Sequence, residues 1–257
     1  MAMDNLVKLG RFLFAIAVAV FGLQYILYGA FVGGLPPVPP WTPGGAVGAY
    51  LVGAALIAAS VSIATKWRAR VSATLLGILF FVCVLLLHGQ RGSAILHDGV
   101  SRTRAFEPLA LSGAAFVLAA AMPMESSAFP AWGTAADKLI KLGGLLFAIP
   151  LVVFGIQHFL YAGFIATLVP SWIPGHLFWA YLTGSAFIAA GVSIVTQKKA
   201  RLAATLLGIM FLLWAVLLHA PRVAAQPRNG DEWTSAFVAL AMCGGAFLVA
   251  GTQARDD

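Results

Sequence analysis

LVKLGRFLFAI at Leu6–Ile16 returns as LIKLGGLLFAI at Leu139–Ile149. Working outward, AYLVGAALIAASVSIAT at Ala49–Thr65 returns as AYLTGSAFIAAGVSIVT at Ala180–Thr196, and ATLLGILF at Ala73–Phe80 as ATLLGIMF at Ala204–Phe211. The short stretch VPPWTP at Val38–Pro43 returns as VPSWIP at Val169–Pro174. Order and spacing hold along the whole chain, which is the mark of an internal duplication rather than of shared composition. The duplication also disposes of a signal-peptide reading of Lys8, Arg11 and the apolar run behind them, because nearly the same segment recurs in mid-chain.

Each copy reads as four apolar helices. The first gives about Leu9–Phe31, Ala46–Thr65, Val71–His88 and Arg104–Met122; the second gives about Leu142–Phe164, Leu177–Thr196, Leu202–His219 and Ser235–Gly251. Several of these blocks approach the ~20 residues that cross a bilayer. The expected fold is therefore all-α: a polytopic membrane protein with eight transmembrane helices in two parallel four-helix repeats. Residues 1–122 form the first repeat, 123–136 a Pro- and Ser-bearing linker, and 137–257 the second. An even number of helices per copy makes the repeats parallel, related by an axis along the membrane normal. Small residues four apart, namely Ala73 with Gly77, Ala204 with Gly208, and Ala54 with Ala58, mark expected close helix contacts.

Composition agrees with a lipid environment. Of 257 residues, 61% are hydrophobic and only 10% charged, against roughly 25% charged in soluble domains. The formal charge of +7 sits in short clusters between apolar blocks, so it is a topology signal and not a nucleic-acid footprint. With the N-terminus inside, eleven Lys and Arg face the cytoplasm, among them Lys66, Arg68, Arg70, Lys198, Lys199 and Arg201, and five face outward. Both termini are thus expected to be cytoplasmic. Cys83 and Cys243 lie inside apolar blocks without a CxxC, which gives no support to a thiol relay or a cysteine metal site.

Polar groups inside a bilayer are costly and mark candidate sites. The first helix carries Gln24 and Tyr28 four residues apart, on one face; its copy carries Gln157 and Tyr161, with His158 where the first copy has Tyr25. Gln24 lies ~24 Å along the helix from Lys8, in the outer leaflet. The third helix ends in His88 with Arg91 beyond it, and its copy in His219 with Arg222. These two sets lie at similar depth, and the Pro-rich loop with Trp41 or Trp172 emerges beside them. The ligand-binding candidates are Gln157, His158, Tyr161, His219, Arg222 and Trp172 in the second copy, and Gln24, Tyr28, His88 and Arg91 in the first. They are expected to converge within each copy. Trp, Tyr, His and Arg also serve as interfacial anchors, and the glutamines can bridge helices. Glu107 and Glu232 are read at outer helix ends, and no acidic pair sits mid-membrane. GxGxxG, P-loop, HExxH and GxSxG patterns are absent, so nucleotide or soluble-type hydrolytic chemistry has no support.

FGIQH at Phe154–His158, VPSWIPGHLFWAYLTGSAFIAAGVSIVT at Val169–Thr196 and ARLAATLLGIMFLLWAVLLHAPR at Ala200–Arg222 resemble the DoxX-like membrane proteins, small bacterial four-helix units. The first half shows the same order in VPPWTPGGAVGAYLVGAALIAASVSIAT at Val38–Thr65 and RVSATLLGILFFVCVLLLHGQR at Arg70–Arg91. The resemblance covers most of both copies. It implies a link to membrane oxidoreduction, including thiosulfate:quinone oxidoreduction, or to oxidative-stress complexes. The chain departs from the family in being a fused double unit and in having Tyr25 after Gln24 where the resemblance implies a His.

Three functions follow as expectations. One is a redox-linked membrane subunit that binds a quinone or similar lipophilic molecule near the outer face; no haem motif is visible, and a haem is not expected. Another is a non-catalytic partner or assembly factor of a membrane redox complex. The third is a small-molecule carrier, against which stand the parallel repeats and the lack of interrupted, charged helices.

Overall fold

The computed structural model describes residues 4–30, 45–88, 97–123 and 133–253. The helices in chain order are α1 (Asn5–Tyr28), α2 (Gly45–Thr65), α3 (Ala69–His88), α4 (Gly99–Ala121), α5 (Gly133–Lys141), α6 (Gly143–Leu160), α7 (Ala162–Leu168), α8 (His176–Thr196) and α9 (Ala200–Leu213). A π-helical turn (Trp214–His219), α10 (Ala220–Ala225) and α11 (Gly230–Thr252) follow. The described residues contain no strand. Seven helical runs are long and apolar enough to cross a membrane: α1, α2, α4, α6, α8, the run Ala200–Ala225, and α11. The shorter apolar stretch Ala69–Leu85 belongs to α3. This is the build of a multi-pass membrane protein, because only a helix satisfies every backbone group of a lipid-exposed segment internally.

The fourth helix of each copy starts more than a turn before its apolar periodicity does. Asp98 caps α4 by accepting from the backbone N–H groups of Val100 and Ser101. Asn229 caps α11 by accepting from Asp231. These polar first turns resemble loop in composition, yet the caps satisfy the orphan N–H groups that would otherwise fray them. Gly133–Lys141, which begins within the expected linker, is helical; Ser126, Ser127 and Pro130 lie outside the described residues.

Helices pack both within each sequence half and across the two halves. α1 packs on α2 and also on α11; α6 packs on α8 and also on α4. α3 packs on α4, α9 on α11, and α4 on α11. The first helix of each copy thus lies against the last helix of the other. α4 and α11 occupy the centre: 67% and 72% of their apolar windows are buried, against 33% for α2 and α8. Side chains such as Leu27, Leu51, Leu85, Phe164, Leu202 and Leu206 point outward, where lipid would meet them.

Close approach of backbones decides these neighbours. A Cβ on Gly22 would lie 2.6 Å from the Gly53 carbonyl, and one on Gly155 2.7 Å from the Gly184 carbonyl, so α1 meets α2 as α6 meets α8. A Cβ on Gly113 would collide with the backbone nitrogen of Phe147, and one on Gly244 would sit 2.7 Å from that of Phe14. Gly77 and Gly208 face the rings of Phe116 and Phe247, beside fully buried Ala73 and Ala204. Ala54 and Ala58, read as contact residues, are exposed instead. The opposite phase of α2, with Gly53, Leu56 and Ser60, is buried. A small residue permits close packing, but an Ala facing lipid has the same spacing.

Candidate functional site

Two kinds of polar contact emerge at the end of the bundle that carries the glutamines. The first is a pair of matched clamps. Gln24 Nε2 donates to the Gly230 carbonyl at 3.0 Å and to Thr234 Oγ1 at 3.2 Å. Gln157 Nε2 donates to the Gly99 carbonyl at 2.9 Å and to Thr103 Oγ1 at 3.2 Å. Each glutamine therefore reaches the start of the other copy's fourth helix, not a partner in its own copy. The tyrosines follow them. Tyr28 OH donates to the Arg228 carbonyl at 3.1 Å, and a Cβ on Gly99 would lie 2.8 Å from the Tyr161 ring.

At the opposite end, Arg70 donates to the Ala119 carbonyl and pairs with Asp137 at 3.3 Å. Arg201 does the same with the Ala250 carbonyl and Asp4 at 2.9 Å. Both arginines bind the C-terminus of a fourth helix, where a cation complements the helix dipole. Sequence reading placed them only as flanking charges. The recurrence of Arg70, Thr103 and Asp137 as Arg201, Thr234 and Asp4 was the available signal.

The second kind of contact exists in the second half alone. His158 is buried and sits among aromatic rings. It stacks on Trp214 with centroids 5.9 Å apart and 18° between planes, and meets Phe187 edge-on at 5.2 Å. Phe154 and Phe211 extend the cluster through Phe187. His158 Nδ1 lies 2.8 Å from the Phe154 carbonyl. A carbonyl only accepts, so Nδ1 carries the hydrogen, and in the neutral ring Nε2 is left as an acceptor. No hydrogen bond to Nε2 is found among the described residues. Trp214 opens the π-helical turn Trp214–His219, a distortion that recurs at functional sites in helices. At its far end His219 Nδ1 is buried without a hydrogen-bond partner, as is Gln157 Oε1.

Among the described residues, no hydrogen bond or ring contact joins Gln157, His158, Tyr161 and His219 to one another. Gln157 and Tyr161 face α4, while the neighbouring His158 faces α8 and the π turn. One residue of offset on a helix rotates a side chain by ~100° and separates the two. Arg222 donates to the Leu168 carbonyl at 3.2 Å, joining α10 to the end of α7. Trp172 is 68% exposed. In the first half, Gln24 and Tyr28 are spent on α11. The His88 side chain, Arg91 and Trp41 lie outside the described residues. An open depression of about 440 Å³ is lined by Gly175, His176, Leu177 and Phe178, none of them in the cluster. The described residues hold no group of three or more His, Cys, Asp or Glu able to take a metal.

Glu107 also departs from expectation. Because α4 begins at Gly99, Glu107 lies two turns inside the helix, ~12 Å along its axis, rather than at its end. A second unexpected polar group is Arg11, buried in α1, whose Nη1 donates at 2.6 Å to the carbonyls of both Ile63 and Ala64.

Among known proteins, a family model described as Domain of unknown function (DUF8561) matches residues 147–245, which run from inside α6 to inside α11. No curated protein and no solved structure matches the chain.

Proposed function

We propose that this chain is a DoxX-like, eight-span protein of the bacterial inner membrane, with both termini cytoplasmic. In this reading two tandem four-helix repeats are related by a two-fold axis along the membrane normal. The matched clamps Gln24 with Thr234 and Gln157 with Thr103 support the duplication, and α3, at 20 residues, has the length of an eighth span. Cysteine labelling in intact cells tests the topology: residues beside Trp172 react from outside, and reaction at position 198 under the same conditions would sink it.

The proposed function is a redox-linked membrane subunit that binds a quinone or similar lipophilic ring near the outer face of the second repeat. One observation carries it: His158 has Nδ1 committed to Phe154 and Nε2 unpartnered, in an aromatic cluster against the π turn. A bound quinol hydroxyl would donate to Nε2, and the Trp214 and Phe187 rings would flank the ligand. A quinone would supply two-electron carriage in the membrane; His158 would orient its oxygen and hold a proton at Nε2. Apolar pockets with a few convergent polar groups are the common form of such sites. The test is the lipid extract and visible–ultraviolet spectrum of protein purified in lipid nanodiscs. Quinone, held in its quinol form under reducing conditions, is expected in wild type, and about tenfold less in His158→Tyr, the value of one lost hydrogen bond. Equal quinone in both variants removes the assignment.

A second reading, a non-catalytic partner or assembly factor of a membrane redox complex, is favoured by the clamps. Both amides and Tyr28 close helices onto one another instead of facing an open site. Stable co-purification with a larger complex, with no quinone, supports it. The carrier reading has no support of this kind, and no haem is proposed.

A further inference from the structure

We propose that Glu107 is a proton-binding site within the membrane, at the interface between α4 and α11. The inference is independent of the quinone reading. Its position comes from helix geometry. Ala114 meets Gly245 across that interface, where a Cβ on Gly245 would lie 2.8 Å from the Ala114 Cβ. Glu107 is seven residues, two turns, before Ala114 and so lies on the same face of α4. Seven residues before Gly245 on α11 is Val238, a buried apolar side chain.

Depth follows from the same helix. Gln157 binds α4 at Gly99 and Thr103, and Arg70 binds it at Ala119. Glu107 lies ~12 Å from Gly99 and ~18 Å from Ala119 at 1.5 Å per residue. It therefore lies inside the ~30 Å hydrocarbon layer, partly buried and about one turn below the Gln157–Thr103 clamp.

No hydrogen bond or ion pair to Glu107 is found among the described residues. On α4 itself the nearest charge is Arg104, one turn toward the glutamine end, and it is exposed. On α11 the titratable groups are Asp231 and Glu232 in the first turn and buried Cys243. On α6, His158 turns toward Phe187 and Trp214 instead. Cys83 of α3 lies near Tyr25 of α1, and α5 offers only Asp137, Lys138 and Lys141 at the far end. Of these only Arg104, one turn away and exposed, acts on the carboxylate, and it forms no ion pair with it. A bare carboxylate in hydrocarbon costs several kcal/mol. A proton removes that cost with no further ligand, whereas a metal cation needs several oxygen ligands, and this interface supplies one carboxyl. The second half has Val238 in its place, so the site is single.

The measurement is an infrared difference spectrum of nanodisc-embedded wild type minus Glu107→Gln. A protonated-carboxyl carbonyl band is expected at neutral pH in wild type and is absent from the variant. It should persist when choline chloride is exchanged for sodium chloride, and should disappear on titration to alkaline pH. Dicyclohexylcarbodiimide, which modifies protonated carboxyls in apolar surroundings, should label Glu107 and leave Asp98, Asp231 and Glu232 unmodified. Glu107→Gln mimics the neutral form and is expected to fold with unchanged thermal stability. Absence of the difference band at neutral pH, with no label on Glu107, overturns the proposal. Loss of the band on adding sodium overturns it too, in favour of a cation site.

Discussion

Tyr25 and His158 follow equivalent glutamines, yet their surroundings differ. Tyr25 is 1% exposed and lies near Cys83, with Phe80 and Leu56 also buried in that half. His158 has Trp214, Phe187, Phe154 and Phe211 around it, and a π-helical turn where the first half keeps a regular helix through His88. The clamps that hold the two halves together are the same in both. Divergence is therefore concentrated one helical step away from the clamp residues, on the face turned toward the third helix of the copy. Equivalent contacts can be kept in both halves while one half differs beside them, because neighbouring positions on a helix face different partners. Arg11 makes the same point from the other side. It ties α1 to the end of α2, while its counterpart Gly144 has open space in front of it.

The largest expected effect is at the closest backbone approach. Gly113→Val should abolish assembly of α4 on α6, seen as loss of monodisperse protein on size-exclusion chromatography. Gly244→Val at the matching α1–α11 contact should leave some folded protein, because its nearest backbone atom is 2.7 Å away and small shifts can absorb part of the overpacking. If the Gly244 variant is the worse of the two, the central interface has been assigned to the wrong pair.

Next in size is the arginine asymmetry. Arg11→Gly removes two charge-assisted hydrogen bonds and should cost about 3 kcal/mol in reversible unfolding from mixed micelles. Gly144→Arg in the second half should be neutral or slightly stabilising, since nothing lies within 4 Å of a Cβ there. A cost at Gly144 equal to that at Arg11 would mean the two inner ends are equally packed.

The glutamine pair should separate by less. Gln24 Oε1 has a long contact, 3.5 Å from Thr234 Oγ1, whose hydrogen points to the nearer Gly230 carbonyl at 2.9 Å. Gln157 Oε1 is buried without a partner. Gln24→Ala should therefore cost slightly more than Gln157→Ala, both about 1 kcal/mol by the same unfolding assay. Equal costs would remove the distinction. The smallest stability change belongs to His158→Tyr, which installs the residue of the first half: less than about 1 kcal/mol is expected, while bound quinone falls. A large loss of stability there would mark His158 as a packing residue.

Sequence reading identified the helical segments well and their ends less well. The polar first turns of α4 and α11 were read as loop because their apolar period begins later, and only the Asp98 and Asn229 caps extend the helices. That error moved Glu107 to a helix end. The site residues were individually visible as polar groups in apolar blocks, but their grouping was not. Gln157 and His158 are adjacent in sequence and face different helices, whereas Gln24 finds its partners more than two hundred residues away.

What the sequence by itself determined was the all-helical build with long apolar, multi-pass spans. Hydrocarbon accepts only long apolar segments with internally bonded backbone, so composition and length suffice for that. Which helices touch was decided by the tertiary structure. In lipid there is no hydrophobic gain to favour one apolar face over another. The choice rests on where glycines let backbones meet and where a few buried donors find carbonyls. Those contacts put α1 against α11 and α6 against α4. They sent the glutamines across the repeat boundary and left His158 facing the aromatic cluster beside the π turn.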